Sequence, residues 1–190
     1  SVSLAGSERE KDMCTILDND SIDCNDHEMD IQDYSLDLGW ISPAPRSLTL
    51  GQGHACLIDH NYSLKCWGFG KGGALGNGEW TNQQEPVLID SFSSEDPFVS
   101  VSAGLANTCA VTRSGKAYCW GVHSQYGVIG DGTVYSVYEQ PKQIDLISGF
   151  NNITQMRNSW GLKCAIDDIG NLGCWGDLRI NPIYVHQTST

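Results

Sequence analysis

All eight cysteines of this 190-residue chain fall into four pairs of identical Cys-x9-Cys spacing: Cys14/Cys24, Cys56/Cys66, Cys109/Cys119 and Cys164/Cys174. A spacing that recurs four times favours local pairing within each couple over the many other connectivities. The short Cys-x2-4-Cys knuckles of structural zinc sites are missing, so no metal is expected at these thiols. A redox-type Cys-x-x-Cys is missing too. Four disulfides are therefore expected, and with them an oxidising compartment and a secreted, extracellular protein.

The pairs mark repeats. Alignment on the first cysteine superposes MCTILDNDSIDCN, ACLIDHNYSLKCWG, TCAVTRSGKAYCWG and KCAIDDIGNLGCWG, with first cysteines 42, 53 and 55 residues apart. That period suits propeller blades better than short solenoid coils. Upstream of each pair lies an alternating segment rich in β-branched residues, such as Val99-Ser-Val-Ser-Ala-Gly104, which reads as a strand. Between the cysteines the pattern reads as a hairpin with its turn at Asn19, Asn61, Ser114 or Ile169. In the third repeat Arg113-Ser114-Gly115 suits a three-residue loop with Gly115 in the left-handed region. Such a hairpin sets its two cysteines opposite each other, where Cα atoms lie about 4.5 or 5.5 Å apart, within disulfide reach. After Trp67-Gly68 and Trp120-Gly121 come turns, Leu75-Gly-Asn-Gly78 and Ile129-Gly-Asp-Gly132, and then Pro-led apolar segments at Pro86 and Pro141. Pro182-Ile-Tyr-Val185 is their counterpart in the fourth repeat. About four short strands per repeat result, the count of a propeller blade.

The segment 102–133, Ala-Gly-x-x-x-Thr-Cys-Ala-Val followed by Gly-x-x-Tyr-Cys-Trp-Gly and Gly-Asp-Gly-Thr, resembles a repeat of the regulator of chromosome condensation superfamily. The Cys-Trp-Gly form is similar to extracellular members, the Crinkly-type receptor ectodomains and the repeat family of β-lactamase inhibitor protein II. The resemblance is strong over 49–133, good over 153–176 and weak in the first repeat, where Asn25-Asp26 replaces Trp-Gly. It implies an all-β fold of four tandem blade-like antiparallel repeats (a small, partial or oligomer-completed propeller), each with its own disulfide. Residues 1–190 form one repeat domain, with repeats at approximately 1–47, 48–98, 99–151 and 152–190. The chain opens at Ser1, on the first strand of a repeat, and is expected to be a mature or trimmed product.

Candidate sites are few. Asn19, Asn61 and Asn152 head Asn-x-Ser/Thr sequons, and the first two sit at hairpin tips where covalent N-glycans would cost the fold nothing. Trp67, Trp120 and Trp175 recur in register and are expected to pack over the bridges or between blades. Trp40, Trp80 and Trp160 break that register and are the candidates for a binding surface. The run Asp18–Asp23 fails the calcium-loop pattern, since Ile22 takes a ligand position, and reads as a solvated acidic turn. The five histidines (His27, His54, His60, His123, His186) show no metal spacing, and His54 reads as structural, bonded to the neighbouring strand. No catalytic residue, cofactor or metal site is expected. A net charge of −12, from 11 Lys+Arg against 23 Asp+Glu, repels phosphate backbones and makes nucleic acid a poor partner. No apolar stretch is long enough to span a membrane. The expected function is a non-enzymatic extracellular structural or interaction module with a protein partner or self-association. The alternative is a lectin-like, receptor-ectodomain or enzyme-inhibitor module that binds carbohydrate or protein.

Overall fold

The computed structural model describes residues 45–89, 95–122, 136–144, 150, 152–158 and 162–176, and in the first repeat the backbone of three strands. Each repeat is its own antiparallel sheet. The first contains β1 (Val2–Leu4), β2 (Cys14–Ile16) and β3 (Ile22–Cys24). The second contains β4 (Ser47–Leu50), β5 (His54–Ile58), β6 (Leu64–Gly68) and β7 (Gln83–Leu88). The third contains β8 (Phe98–Ala103), β9 (Asn107–Thr112), β10 (Ala117–Val122) and β11 (Val137–Ile144), and the fourth β12 (Ile153–Asn158), β13 (Leu162–Asp167) and β14 (Leu172–Gly176). Strands follow one another in sheet order in all four, the meander of a propeller blade. We call them blades 1 to 4. The expected all-β architecture of four tandem blades is the one observed.

The cysteines face each other across every hairpin: Cys14 pairs with Cys24, Cys56 with Cys66, Cys109 with Cys119 and Cys164 with Cys174. Disulfides join the last three pairs across Cα separations of 4.1, 4.1 and 4.0 Å, the close spacing of a non-hydrogen-bonded antiparallel pair. For Cys14 and Cys24 only the backbone register is described. Each bridge closes a loop of ten-residue separation. On chain-entropy grounds it removes roughly 2–3 kcal/mol of unfolded-state freedom.

Consecutive blades stack face to face, and this burial explains a departure from simple alternation. Every residue of β5 and β9 is buried, on both faces of the strand, because the sheet is covered from two sides. Ile58, Leu64 and Leu75 pack with Phe98, Val101 and Trp120 between blades 2 and 3. Val111 and Ala117 pack with Ile153, Met156 and Trp175 between blades 3 and 4.

The outer strands start earlier than the Pro-led reading expects. β7 begins three residues before Pro86 and β11 four before Pro141. Both are edge strands of their sheets, where a residue without an N–H takes nothing from the ladder. Each is joined through a register shift beside the Trp of the preceding strand. The Gly-rich turn at 129–132 and the segment 182–185 lie outside the described residues.

Candidate protein-interaction surface

The blades are joined by a repeated set of polar contacts. Counting from the first cysteine of each repeat, a hydroxyl seven residues upstream accepts a backbone N–H from the next blade. Thr49 Oγ1 accepts from Ala103 N at 3.0 Å, and Ser102 Oγ accepts from Asn158 N at 2.9 Å. Two residues before the cysteine, a second polar side chain crosses the same joint. His54 Nε2 lies 2.8 Å from Thr108 Oγ1, whose hydroxyl donates to Ala74 O at 2.9 Å. His54 therefore donates from Nε2. Burial pushes its pKa down to about 4. Its partner thus belongs to the next blade, not to a strand beside it in its own sheet.

Asn107 repeats the role. Its Oδ1 accepts from Asn158 Nδ2 at 2.7 Å and from the buried Lys163 Nζ at 3.4 Å. Burial lowers the Lys163 ammonium to about 7. The in-register tryptophans are joint residues as well. Trp120 Nε1 donates to Ala74 O at 3.0 Å, beside Thr108. Trp175 is buried in the same register, but its Nε1 has no partner among the described residues.

The loop between β6 and β7 of blade 2 reaches over blade 3 and shapes one end of the molecule. It runs through a 3-10 turn at Lys71–Gly73. Gly73 lies so close to β11 that a Cβ there would sit 2.8 Å from Glu139 Cα, at a φ of +75°. Glycine lets the loop pass. Around it stand exposed apolar side chains: Phe69, Val122, Val137 and, at 51% exposure, Trp80. Val122 and Val137 are register partners in β10 and β11. Trp80 is held by its indole, which donates to Glu139 Oε1 at 2.7 Å, two residues from Val137. A hydrogen-bonded indole with an open ring face is a preorganised contact.

The other end is made by the hairpin tips. Asp59 Oδ1 accepts from Asn61 N and Ser63 N, and Asp167 Oδ1 accepts from Ile169 N and Asn171 N. Thr112 Oγ1 accepts from Lys116 N in the same place. Sequence reading missed this bracket, although the signal is legible as Asp, Thr and Asp three residues after the first cysteine. Gly115 and Gly170 take φ of +81° and +85°, and Tyr62, at the equivalent position, takes +63°. The Tyr62 ring lies under Arg46 and Arg113, whose Cζ atoms are 4.2 and 4.6 Å from its centroid.

Of the residues singled out in the sequence, Trp80 lies at the apolar end, and Asn61 and Asn152 are exposed at the hairpin-tip end. Asn19, Trp40 and Trp160 lie outside the described residues. Among the described residues no cluster of His, Cys, Asp or Glu could hold a metal ion, and no helix is long and apolar enough to cross a membrane.

Two models of the regulator of chromosome condensation (RCC1) repeat match the chain, at residues 66–111 and 98–127. The first match runs from β6 to β9, so the sequence-defined repeat straddles the joint between blades 2 and 3. The ultraviolet-B receptor UVR8 of Arabidopsis thaliana is 28% identical over 131 residues, covering 69% of this chain and 29% of that protein. The crystal structure of human WBSCR16 superposes with a TM-score of 0.70 at 15% identity, over 87% of this chain and 45% of the other. The CRINKLY WD40 ectodomain of the Arabidopsis thaliana receptor kinase ACR4 superposes with a TM-score of 0.58 at 16% identity, over 96% and 57%. The chain thus spans under a third of this curated relative and about half of these solved structures. Matching repeat models, a curated relative and blades that superpose on these structures agree: residues 66–127 carry RCC1 repeats, and the chain has the fold of the RCC1-like β-propeller repeat superfamily.

Proposed function

We propose that this chain is a non-enzymatic, secreted interaction module that presents its apolar end to a protein partner. Residues 1–190 act as one repeat domain with units near 1–47, 48–98, 99–151 and 152–190. The observation that carries the reading is the group Phe69, Trp80, Val122 and Val137, exposed around one loop and mounted on buried, disulfide-bridged strands. Aromatic and aliphatic anchors on a rigid support are what protein interfaces use. Three bridges and the likeness to a receptor ectodomain support an extracellular setting. The test is a binding screen of the disulfide-intact protein against a library of displayed extracellular proteins. Trp80→Ala or Val122→Ser should weaken a specific hit at least tenfold, while Ile169→Ser at the opposite end should not. Equal loss from both ends contradicts the proposed surface. Binding to a glycan array that Trp80→Ala abolishes would replace the protein partner with a sugar.

A second reading, self-association, is favoured by the outer face of blade 4. Leu162 and Ile166 hold the register of His54 and Asn107, and of Ile58 and Val111, all buried against a following blade. In blade 4 they are 39% and 38% exposed. β13 therefore alternates in burial where β9 does not. A second copy stacked head to tail would cover this face, and such heterologous contacts build rings or filaments. Light scattering at micromolar concentration should show a multimer that Leu162→Asp with Ile166→Asp dissociates. A monomeric parent protein overturns the reading.

A further inference from the structure

The two described sequons meet at one end of the molecule, by separate routes. Asn61 stands exposed at the tip of the β5–β6 hairpin. Asp59 holds the backbone on either side of it, through Asn61 N and Ser63 N, each at 2.9 Å. The Asn61 side-chain amide itself makes no hydrogen bond among the described residues. Asn152 belongs to no hairpin, since it directly precedes β12. It reaches the same end because the tips of blades 3 and 4 close around it. Ile153 N donates to Gly115 O at 3.0 Å, and Asp168 N donates to Asn152 O at 2.9 Å. Its side chain is exposed, and Nδ2 donates to Asp168 Oδ2 at 3.1 Å. The contact of Tyr62 with Arg113 joins the blade 2 tip to the blade 3 tip. Phe69, Trp80, Val122 and Val137 lie at the other end of the strands.

We propose that Asn61 and Asn152 are N-glycosylation acceptors, and that the hairpin tips are the glycan-bearing end opposite the apolar end. The chemistry fits both sites. Transfer from a lipid pyrophosphate-linked oligosaccharide forms the Nδ2–C1 bond and breaks the C1–O bond. The pyrophosphate carrier leaves with the electron pair, and the proton lost from Nδ2 passes to a base of the transferase. One N–H remains on Nδ2, so the glycosylated Asn152 keeps a donor for Asp168. At Asn61 no bond is lost. Glycans at the tips shield that end from contacts and leave the other end clear for a partner.

This proposal rests on the secretory reading, and the experiment separates the two. The full chain is secreted from a eukaryotic host and treated with peptide N-glycosidase in heavy-oxygen water. Its non-reduced peptides are then mapped by mass. Conversion of Asn to labelled Asp at both 61 and 152 is expected. Asn61→Gln and Asn152→Gln should each remove one glycan mass, and Ser63→Ala should mimic the former. Thr154→Ser, which keeps both the sequon and the hydroxyl donor to Ile166 O, should retain the Asn152 glycan. An unmodified asparagine at either position overturns the proposal for that site. Intact bridges in the same peptides keep the secretory reading, and free thiols overturn that reading as well.

Discussion

At the residue scale, the joint between blades 2 and 3 turns on one carbonyl. Ala74 O receives both the Thr108 hydroxyl and the Trp120 indole, and Thr108 in turn receives His54. Burial disfavours charging the His54 ring, whose Nε2 donates to Thr108 in either protonation state. Its pKa is about 4 when folded against 6.5 for the free side chain. Between those values the unfolded chain binds a proton that the folded chain does not. Stability should therefore fall as pH drops from about 6.5 to about 4, by up to roughly 3 kcal/mol, and level off below. His54→Asn, which installs the residue that blade 3 carries at this register, should flatten that window. Urea midpoints at pH 7, 5.5 and 4 check it. Asp59 and Asp96 act in a more acidic range. Desolvation would raise both carboxylates, but hydrogen bonds at their hairpin tips, with Lys65 beside Asp59 and Lys116 beside Asp96, hold them below their ordinary value, so their stabilisation is lost only at lower pH. Lys163 shows how one register can be filled differently. It occupies the place of Thr108 with an ammonium pulled down by burial.

At the element scale, the hairpins were the most legible part of the chain. Equal cysteine spacing set the strand register, and Gly115 gave away the left-handed turn position. That logic identifies Gly170 as well but not Tyr62, because nothing in Asn-Tyr-Ser suggests that a ring between Arg46 and Arg113 would hold a strained φ. The outer strands were less legible. Pro86 and Pro141 mark a strand edge, but which end of the strand they mark depends on a sheet neighbour that local sequence does not contain. The apolar end was legible only at Trp80, since nothing local to Phe69 and Val122, which follow Trp-Gly in two repeats, marks them as exposed beside the loop over blade 3. Environment also separates the tip glycines. Gly115→Ala would place a Cβ 2.5 Å from Asn152 Cα, whereas Gly170→Ala meets nothing within 4 Å. Both substitutions pay about 1 kcal/mol for the left-handed backbone. Gly115→Ala should cost clearly more, because blade 4 must shift to admit it. Thermal midpoints of the two variants check this, and equal shifts would contradict the contact between blade 3's tip and blade 4.

At the scale of the whole molecule, the joints between blades repeat and the disulfide staples are local to each blade. The repeated joint ends at blade 4, where the hydroxyl register of Thr49 and Ser102 is taken by the exposed Arg157 and the His54 register by Leu162. Those substitutions were visible in the sequence, but their meaning was not, because only the structure shows which side of a blade meets the next. The central claim is that each repeat is a separately bridged blade, the first included. Non-reducing peptide mapping of the natively produced protein tests it most directly. Cys14–Cys24, Cys56–Cys66, Cys109–Cys119 and Cys164–Cys174 are expected, with no free thiol. Cys14 bonded to a cysteine of another repeat, or left free, would contradict it.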